Sequence, residues 1–341
     1  MYWLGIETSC DETAAAVVKN GRQVLSSVWS SQERIHAKFG GVVPELACRQ
    51  HTAVIAGVVD TALSRAGLDV KDLNGVAVTQ GPGLIGALLV GISYAKGLAY
   101  SRGLPLMGVD HLEGHIAAVH LENPGLELPA VALVVSGGHT NLYSLSPDGS
   151  RTLLGQTADD AAGEAFDKGA KMLGLPFPGG PSIDQTARSG DGSRIRFPRP
   201  TLQSESFDMS FSGLKTALRY YLERHGRPDG GTPELANVAA AYQQAIVDVL
   251  VGKTISAADR YRVRSVIMTG GVAANSVLRE RMKQACGNRG VRLIVPTPRY
   301  CTDNGAMIAA AAYFRYEDGG KFPLRMSPNL STVLGAPSGY G

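Results

Sequence analysis

Residues 2–29, YWLGIETSCDETAAAVVKNGRQVLSSVW, contain three short apolar runs and decide the fold. Their composition and length are typical of β-strands, and Asn20–Gly21 is typical of a type I′ hairpin turn between the second and third strands. The predicted strands are Tyr2–Thr8, Ala14–Lys19 and Gln23–Trp29. This stretch therefore predicts an antiparallel β-meander at the start of the chain.

The same pattern recurs at residues 130–156. Its predicted strands are Ala130–Ser136, Thr140–Leu145 and Arg151–Gln156. The hairpin turn Asp148–Gly149 lies 128 positions after Asn20–Gly21, and the same offset brings Ser9 onto Gly137. A repeat in register over two turns indicates a duplicated lobe.

Helices and strands alternate after each set of three strands, which indicates sheets with helices on their faces and ligands at the carboxyl ends of the strands. We therefore predict an α/β fold of two duplicated lobes, each a mixed sheet flanked by helices, with a cleft between them. The predicted boundaries are 1–128 for the N-terminal lobe, 129–318 for the C-terminal lobe and 319–341 for an irregular tail. Residues 176–213 are predicted to be a long connection without regular structure.

The stretch DHLEGHIAAVHL, residues 110–121, predicts a helix with His111 and His115 on one face. Two imidazoles four residues apart can bind one metal ion. We expect Asp303, at the first turn of a predicted helix in the C-terminal lobe, to be the third ligand. Two His and one carboxylate with open positions suit non-haem Fe²⁺ and, in some sites, Zn²⁺. Two buried or solvated histidines without a metal are the structural alternative.

The His pair is also compatible with a metalloprotease, but the spacing of Glu113 from His111 argues against that function. A zinc protease has its general base directly after the first His. Glu113 follows His111 by two positions, so at about 100° per residue it points roughly 200° away from His111 around the helix. A small-molecule kinase and a noncatalytic scaffold are also compatible with the predicted lobes.

Composition sets limits on the location and partners of the chain. Its 341 residues are 44% hydrophobic and 18% charged, which is enough for a large core, and no apolar run suggests a membrane span. Four scattered cysteines read as reduced thiols in a cytoplasmic protein. A net charge of +3 does not by itself predict nucleic-acid binding. A local cluster, Arg188, Arg194, Arg196 and Arg199, is the candidate contact for an RNA, with solvated loop charge as the alternative.

Three polar turns follow predicted strands and are candidate ligand sites. VVSGGHT, residues 134–140, has two glycines that let backbone N–H groups approach an anion. ETSCDET, residues 7–13, supplies hydroxyls and carboxylates at the duplicated position, and MTGGVAAN, residues 268–275, opens a helix where a nucleotide commonly binds. Asp167 and Asp184 are further candidates for contacts to a ribose or a substrate amine. Each turn taken singly is also compatible with an ordinary tight turn.

Seven motifs in one order resemble a known family over nearly the whole chain. They are GGVVPELACRQH, QGPGLIGALLVG, DHLEGHIAAV, DDAAGEAFDKGAKMLGLPFPGGP, FSGLKTAL, GGVAAN and CTDNGAMIAA. The sequence thus resembles the TsaD family of tRNA N6-adenosine threonylcarbamoyltransferases, within the actin/Hsp70/sugar-kinase superfamily. The resemblance implies transfer of a threonylcarbamoyl group from threonylcarbamoyl-adenylate to N6 of adenosine 37 in tRNAs that read ANN codons, with release of AMP.

The resemblance also implies roles for individual residues. His111, His115 and Asp303 would hold the metal, expected to be iron. The adenylate would be bound by Val134, Val135, Ser136, Gly137, Gly138, Asp167, Gly180, Asp184 and Asn275. Asp11 and Glu12 are expected to take the proton from the attacking amine. The implied partners are tRNA, a smaller paralogue (TsaB) that pairs with the first lobe and a P-loop ATPase (TsaE), with no membrane.

Overall fold

The computed structural model of the chain describes residues 1–122, 125–148, 150–200, 205–230, 232–317, 319 and 326–329. The strands are β1 Tyr2–Glu7, β2 Glu12–Lys19, β3 Gln23–Ser31, β4 Gly75–Gly81, β5 Leu106–Asp110, β6 Ala130–Val135, β7 Thr140–Leu145, β8 Arg151–Gln156, β9 Ser265–Thr269 and β10 Arg292–Ile294. The α-helices are α1 Glu33–His36, α2 Pro44–Ala66, α3 Ile85–Arg102, α4 His111–Ala117, α5 Ala162–Leu173, α6 Gly179–Ala187, α7 Ser212–His225, α8 Pro233–Tyr261, α9 Ser276–Gly287, α10 Pro298–Cys301 and α11 Gly305–Glu317. Short 3₁₀ helices cover Ala37–Phe39, Val70–Asp72, Ala118–Leu121, Gly192–Arg194 and Gly271–Ala274.

The described residues contain two five-stranded sheets with the same topology. The first has the order β3-β2-β1-β4-β5 and the second, read from the corresponding edge, β8-β7-β6-β9-β10. In each sheet the first three strands in sequence pair antiparallel and the last two join in parallel. The predicted duplication and the mixed α/β class are confirmed. Asn20 and Gly21, with φ of 52° and 64°, form the predicted type I′ turn, whereas Gly149 of the second predicted turn lies outside the described residues.

The chain divides into two units that differ from the predicted lobes at the C-terminal end. The first unit comprises Met1–Leu126 together with Pro296–Gly341, and the second comprises Glu127–Val295. The prediction that Asp303 and the last helix belong to the C-terminal lobe is therefore wrong. Gly5 and Gly305 give the physical reason, because a Cβ on Gly5 would lie 2.0 Å from the carbonyl oxygen of Gly305. This close approach joins the start of α11 to the middle of β1.

The core of the first unit lies on both faces of its sheet. Leu4 and Ile6 of β1 pack with α2 and α3, while Trp3 of the same strand packs with the alanine-rich stretch Ala306–Ala312 of α11. Alternate residues of one strand thus face two helical layers. Glycines at αL positions end α2 and α3, with φ of 68° at Gly67 and 62° at Gly103.

Three other sequence predictions need correction or comment. The connection predicted at 176–213 contains α6 and a 3₁₀ turn, because a Gly/Pro-rich start is tolerated in a first helical turn. Helix α8 is long and apolar enough to pass for a membrane span, but 83% of its most apolar window is buried in the fold, as expected of a core helix. The predicted tail 319–341 lies outside the described residues except for residues 319 and 326–329, which have no helix or strand.

Candidate metal centre and ligand-binding turns

Helix α4 presents two buried imidazoles to one point. Asp110 caps the helix, accepting hydrogen bonds from the N–H groups of Leu112 (2.9 Å) and Glu113 (3.2 Å). The cap fixes the first turn, where His111 stands, and one turn later comes His115. Both side chains are buried, with 4% and 0% of their surface exposed, and the ring centroids are 4.7 Å apart.

Asp303 completes this group from the connection between α10 and α11, two residues before α11 begins. Its Oδ1 lies 3.4 Å from Nε2 of His111 and 3.2 Å from Nε2 of His115. The next residue, Asn304, caps α11 by accepting a hydrogen bond from the N–H of Met307 (2.9 Å). Asp303 was predicted inside the first helical turn, and the structure places it just before that turn.

The three side chains fit a divalent metal ion. One ligand atom from each lies within 4.8 Å of the others. Two ligands that are each about 2.1 Å from one ion, at bond angles of about 90–110°, would be roughly 3.0–3.4 Å apart, which matches the two His–Asp distances. In addition, neither nitrogen of the buried His115 ring makes a hydrogen bond with the described residues. A buried imidazole without a hydrogen bond is expensive unless an ion uses its lone pair.

Glu7 holds the first histidine in the orientation that a metal requires. Its Oε2 lies 3.1 Å from Nδ1 of His111, and the carboxylate also accepts hydrogen bonds from the Ser9 N–H and the Thr79 hydroxyl. A proton on Nδ1 shared with this carboxylate leaves Nε2 free for the ion, as is usual for histidine ligands. This role of Glu7 was not predicted from the sequence. The available signal was an acidic residue at the carboxyl end of an otherwise apolar strand.

The charges of these groups are strongly coupled. Burial lowers the pKa of His111, but the carboxylates of Asp303 and Glu7 outweigh it and raise that pKa to about 9. In His115 burial prevails and the pKa is lowered. Without an ion, His111 therefore carries the positive charge that balances the two carboxylates, and a bound cation would take over that balance.

Glu113 faces away from the metal ligands, as the helical spacing predicts. It is 7% exposed, and its Oε2 lies 3.7 Å from the guanidinium of Arg315 on α11. It therefore joins α4 to α11 within the first unit and is not placed as a base for the candidate metal site.

Asp11 lies in the turn between β1 and β2 and Glu12 is the first residue of β2, in the same unit as the candidate metal ligands. Glu12 and Asp303 both line a cavity of about 570 Å³. Burial, followed by the charges of Asp303 and Asp11, raises the pKa of Glu12 to about 8. Glu12 is thus beside the candidate metal centre, with a pKa in the range where a carboxylate can accept and return protons near neutral pH.

The duplicated turn of the second unit exposes backbone beside the start of α5. Gly137 and Gly138 follow β6, are exposed, and have open space where a Cβ would be. The turn is closed by the Ser136 N–H donating to the His139 carbonyl at 2.8 Å. Gly163 at the start of α5 packs against this turn so closely that a Cβ would lie 2.5 Å from the Ser136 carbonyl oxygen. The buried Val134 and Val135 fix the strand that leads into it.

Asp167, Gly180 and Asp184 lie on two helices of the same unit that contact each other. Asp167 of α5 accepts a hydrogen bond from the Gly179 N–H (2.7 Å) at the start of α6. Next to it, Gly180 has open space where a Cβ would be. Asp184 of α6 accepts a hydrogen bond from the Ser276 hydroxyl (2.7 Å) at the start of α9. These contacts bring the predicted residues of α5, α6 and α9 into one neighbourhood.

Asn275 caps α9 and is 8% exposed. Its Oδ1 accepts a hydrogen bond from the Leu278 N–H (2.9 Å), and its amide donates to Gln243 (2.8 Å). Both polar atoms of this side chain therefore have protein partners. The preceding turn has exposed backbone at Gly271, so Asn275 holds the turn in place whether or not it also contacts a ligand.

The predicted arginine cluster is partly neutralised within the second unit. Arg199 is bound to Asp248 (2.9 Å), Arg194 lies 3.4 Å from Asp191, and Arg188 lies 3.9 Å from Asp184. Use of this cluster as an RNA contact stays a prediction.

Comparison with solved structures agrees with the fold class. HypF from T. kodakarensis aligns over 93% of this chain and 48% of its own, with a TM-score of 0.62 and 14% identity. Component A of (R)-2-hydroxyglutaryl-CoA dehydratase from Acidaminococcus fermentans aligns over 93% of this chain and 99% of its own, with a TM-score of 0.56 and 15% identity. The chain therefore shares the α/β fold of these structures, with duplicated mixed sheets, and carries a His-His-Asp group able to bind a metal.

Sequence comparison gives the family. Residues 23–310 match the family described as tRNA N6-adenosine threonylcarbamoyltransferase, TsaD. The enzyme of that name from Moorella thermoacetica is 54% identical over 329 residues, which cover 96% of each chain. The chain belongs to this family of tRNA N6-adenosine threonylcarbamoyltransferases. It is a transferase that forms N6-threonylcarbamoyladenosine on tRNA, and a metalloprotease or a small-molecule kinase is not favoured.

Proposed function

We propose that the chain transfers the threonylcarbamoyl group from threonylcarbamoyl-adenylate to N6 of adenosine 37 in tRNAs that read ANN codons. In this step N6 forms a bond to the acyl carbonyl carbon, the bond from that carbon to the phosphate oxygen breaks, and AMP leaves. The observation that carries the proposal is the group His111, His115 and Asp303, with Glu12 lining the same cavity as Asp303.

We propose Fe²⁺ as the ion in this group, with Zn²⁺ as the alternative, because two imidazoles and one carboxylate suit both. A divalent ion held there would act as a Lewis acid toward an acyl or phosphoryl oxygen. The chain would contribute the placement of Asp303 Oδ1 at 3.4 Å and 3.2 Å from the Nε2 atoms of His111 and His115, and a Glu7 carboxylate that holds the Nδ1 proton of His111.

Proton removal is assigned to Glu12, with Asp11 as the neighbouring candidate. An exocyclic adenine amine is a poor nucleophile, so it must lose a proton as the new bond forms. The proton passes from N6 to the Glu12 carboxylate. The position of Glu12 in the cavity shared with Asp303, and its pKa of about 8, support this role.

Adenylate binding is assigned to the second unit. Exposed backbone at Gly137 and Gly138 is suited to a phosphate, because N–H groups at glycine turns form anion sites. Asp167 and Gly180 at the contact between α5 and α6 are proposed to bind the ribose, together with Asp184. Asn275 is proposed to act at the base, directly or by holding its turn.

The proposed partners are tRNA, a smaller paralogue of the same fold and a P-loop ATPase, in the cytoplasm and away from membranes. An exposed apolar face on α3 supports pairing with another protein. Ile85, Leu89 and Tyr100 are 56%, 46% and 81% exposed, and their spacing puts them on one face of the helix. We propose this face, with the neighbouring α2, as the contact for the paralogue.

The experiment that tests this proposal supplies labelled threonylcarbamoyl-adenylate, the partners and one tRNA in two forms, with A37 or G37. The proposal expects label on the A37 tRNA and an equal amount of AMP, and no label on the G37 form. A Glu12→Gln variant should bind metal and adenylate but transfer slowly. Equal labelling of both tRNAs, or labelled tRNA without AMP, would refute the assigned reaction.

A further inference from the structure

We propose that the cavity beside Asp303 binds the tRNA strand that carries the acceptor adenosine, with Trp29 stacking on a base and Arg299 contacting a phosphate. The cavity, of about 570 Å³, belongs entirely to the first unit, and its lining includes Glu12, Ser26, Ser27, Trp29, Arg299 and Asp303. A volume of this size accommodates a nucleoside. The inference rests on the proposed function and specifies where the acceptor RNA is bound.

Trp29 is exposed in a way that the fold does not require. The chain has two tryptophans: Trp3 is 1% exposed and packs in the core, whereas Trp29, on β3, is 63% exposed. An aromatic ring that offers its face to solvent beside a reactive centre is a platform for an unstacked base. Stacking accepts any base, so Trp29 can serve tRNAs with different neighbours of the acceptor adenosine.

Arg299 also lines the cavity and is held by two neighbouring side chains. Its guanidinium is 4.5 Å from the Tyr300 ring centroid and 3.5 Å from the Glu122 carboxylate, and its side chain is 68% exposed. These two contacts restrict the side chain while leaving it accessible. A partly ordered, exposed guanidinium is a good phosphate ligand, because it presents paired N–H groups in a fixed plane.

The rest of the lining suits the edge of a base. Ser26, Ser27 and Thr302 supply hydroxyl groups. Glu12, which we propose to receive the N6 proton, and Asp303, a candidate metal ligand, line the same cavity. A nucleotide held between Trp29 and Arg299 would thus lie next to the groups that act on N6.

A peptide is the competing occupant, because β3 is the edge strand of its sheet and an added strand could pair there. Two features favour RNA. The cavity includes residues of the candidate reactive centre, and the family acts on tRNA. A peptide strand paired along β3 would not need an exposed arginine in the same cavity.

Tryptophan fluorescence provides a direct test on the full chain. Titration of tRNA carrying the acceptor adenosine should quench the emission of exposed Trp29, and the buried Trp3 serves as an internal reference. Trp29→Phe keeps an aromatic ring and should abolish the quenching while tRNA still binds. Undiminished quenching in Trp29→Phe would overturn the assignment of Trp29.

Steady-state kinetics separate this inference from the proposed function. Trp29→Ala should raise KM for tRNA roughly 5- to 150-fold, with KM for the adenylate and the metal content unchanged. Trp29→Phe, which keeps an aromatic ring, should have a KM for tRNA much closer to that of the parent. Arg299→Gln should reduce the slope of log affinity against log salt by about 0.7–0.9, the value for one phosphate. Tyr220→Ala, at an exposed ring (58%) on α7, is the matched control and should change neither quantity.

The outcomes are distinct. If wild-type protein forms no modified nucleoside, the proposed function fails. If wild-type protein is active but Trp29→Ala keeps the parental KM for tRNA, the cavity does not bind the acceptor strand. If Trp29→Ala instead weakens only the binding of a protein partner, the occupant is a peptide strand and the inference is overturned.

Discussion

The role of Glu7 gives the sharpest prediction about the candidate metal centre. Glu7 is fully buried, with its Oε2 3.1 Å from Nδ1 of His111. Glu7→Gln preserves size and one acceptor oxygen but removes the charge that stabilises the Nδ1 proton. An amide N–H facing Nδ1 would favour the tautomer with its proton on Nε2, where the ion should bind. Loss of such a partner usually costs 10- to 100-fold in metal affinity, which is about 1.4–2.7 kcal/mol.

The assay is competition for Zn²⁺, and for Fe²⁺ under anaerobic conditions, against a chelator of known affinity, with metal content measured on the same samples. Glu113→Gln is the matched control, because Glu113 is also a buried acid, in the same helix as His111, but faces Arg315. We expect Glu7→Gln to bind the metal ion more weakly than the parent and Glu113→Gln to bind it as tightly as the parent. Equal affinity of Glu7→Gln and the parent, with both proteins folded, would refute the orienting role of Glu7.

The other predictions concern metal binding, nucleotide binding and stability. His111→Ala and His115→Ala should each lose the metal and transfer activity but unfold cooperatively; full metal occupancy in both would rule out these ligands. Asp167→Ala should weaken binding of an AMP-like ligand by about 1–3 kcal/mol with metal content intact, as measured by calorimetry, and parental affinity would misplace the nucleotide. Asn275→Ala should also lose about 1 kcal/mol of stability through the α9 cap, which Asn275→Asp should restore in thermal unfolding. Burial raises the pKa of the Asp159 carboxyl, but hydrogen bonds from Ser210, Phe211 and Ser212 outweigh burial and the pKa is lowered. The stability that the ionised Asp159 contributes is therefore full above the unfolded pKa of about 3.9 and is lost as pH falls through the lower native pKa. The free energy of unfolding of Asp159→Ala should accordingly depend less on pH in this acidic range than that of the parent.

Periodicity made much of the fold predictable. The strands Thr140–Leu145 and Arg151–Gln156 have the predicted bounds, because their apolar residues and the turn residues between them mark both strands locally. The pairing of His111 with His115 was predictable for the same reason, since four residues make about one helical turn.

Contacts between distant segments were not predictable in this way. Glu7 and His111 are joined by the parallel arrangement of β1, β4 and β5, which leaves no trace in local composition. The return of residues 296–341 to the first unit depends on the close approach of Gly5 and Gly305. Helix α6 was missed because its first turn, Gly179–Gly180–Pro181, has the composition of a loop, and only its packing on Asp167 makes it a helix.

Nucleoside mass spectrometry of tRNA is the most direct test of the proposed transfer to adenosine 37. An ANN-reading tRNA would be incubated with the chain, its partners, the synthase that makes the adenylate, threonine, bicarbonate and ATP, and then digested to nucleosides. We expect N6-threonylcarbamoyladenosine at position 37 in the complete reaction, and none when the chain is omitted or replaced by His115→Ala. Equal amounts of the modified nucleoside with His115→Ala would contradict the role of the His-His-Asp centre, and its absence from the complete reaction would contradict the proposed function.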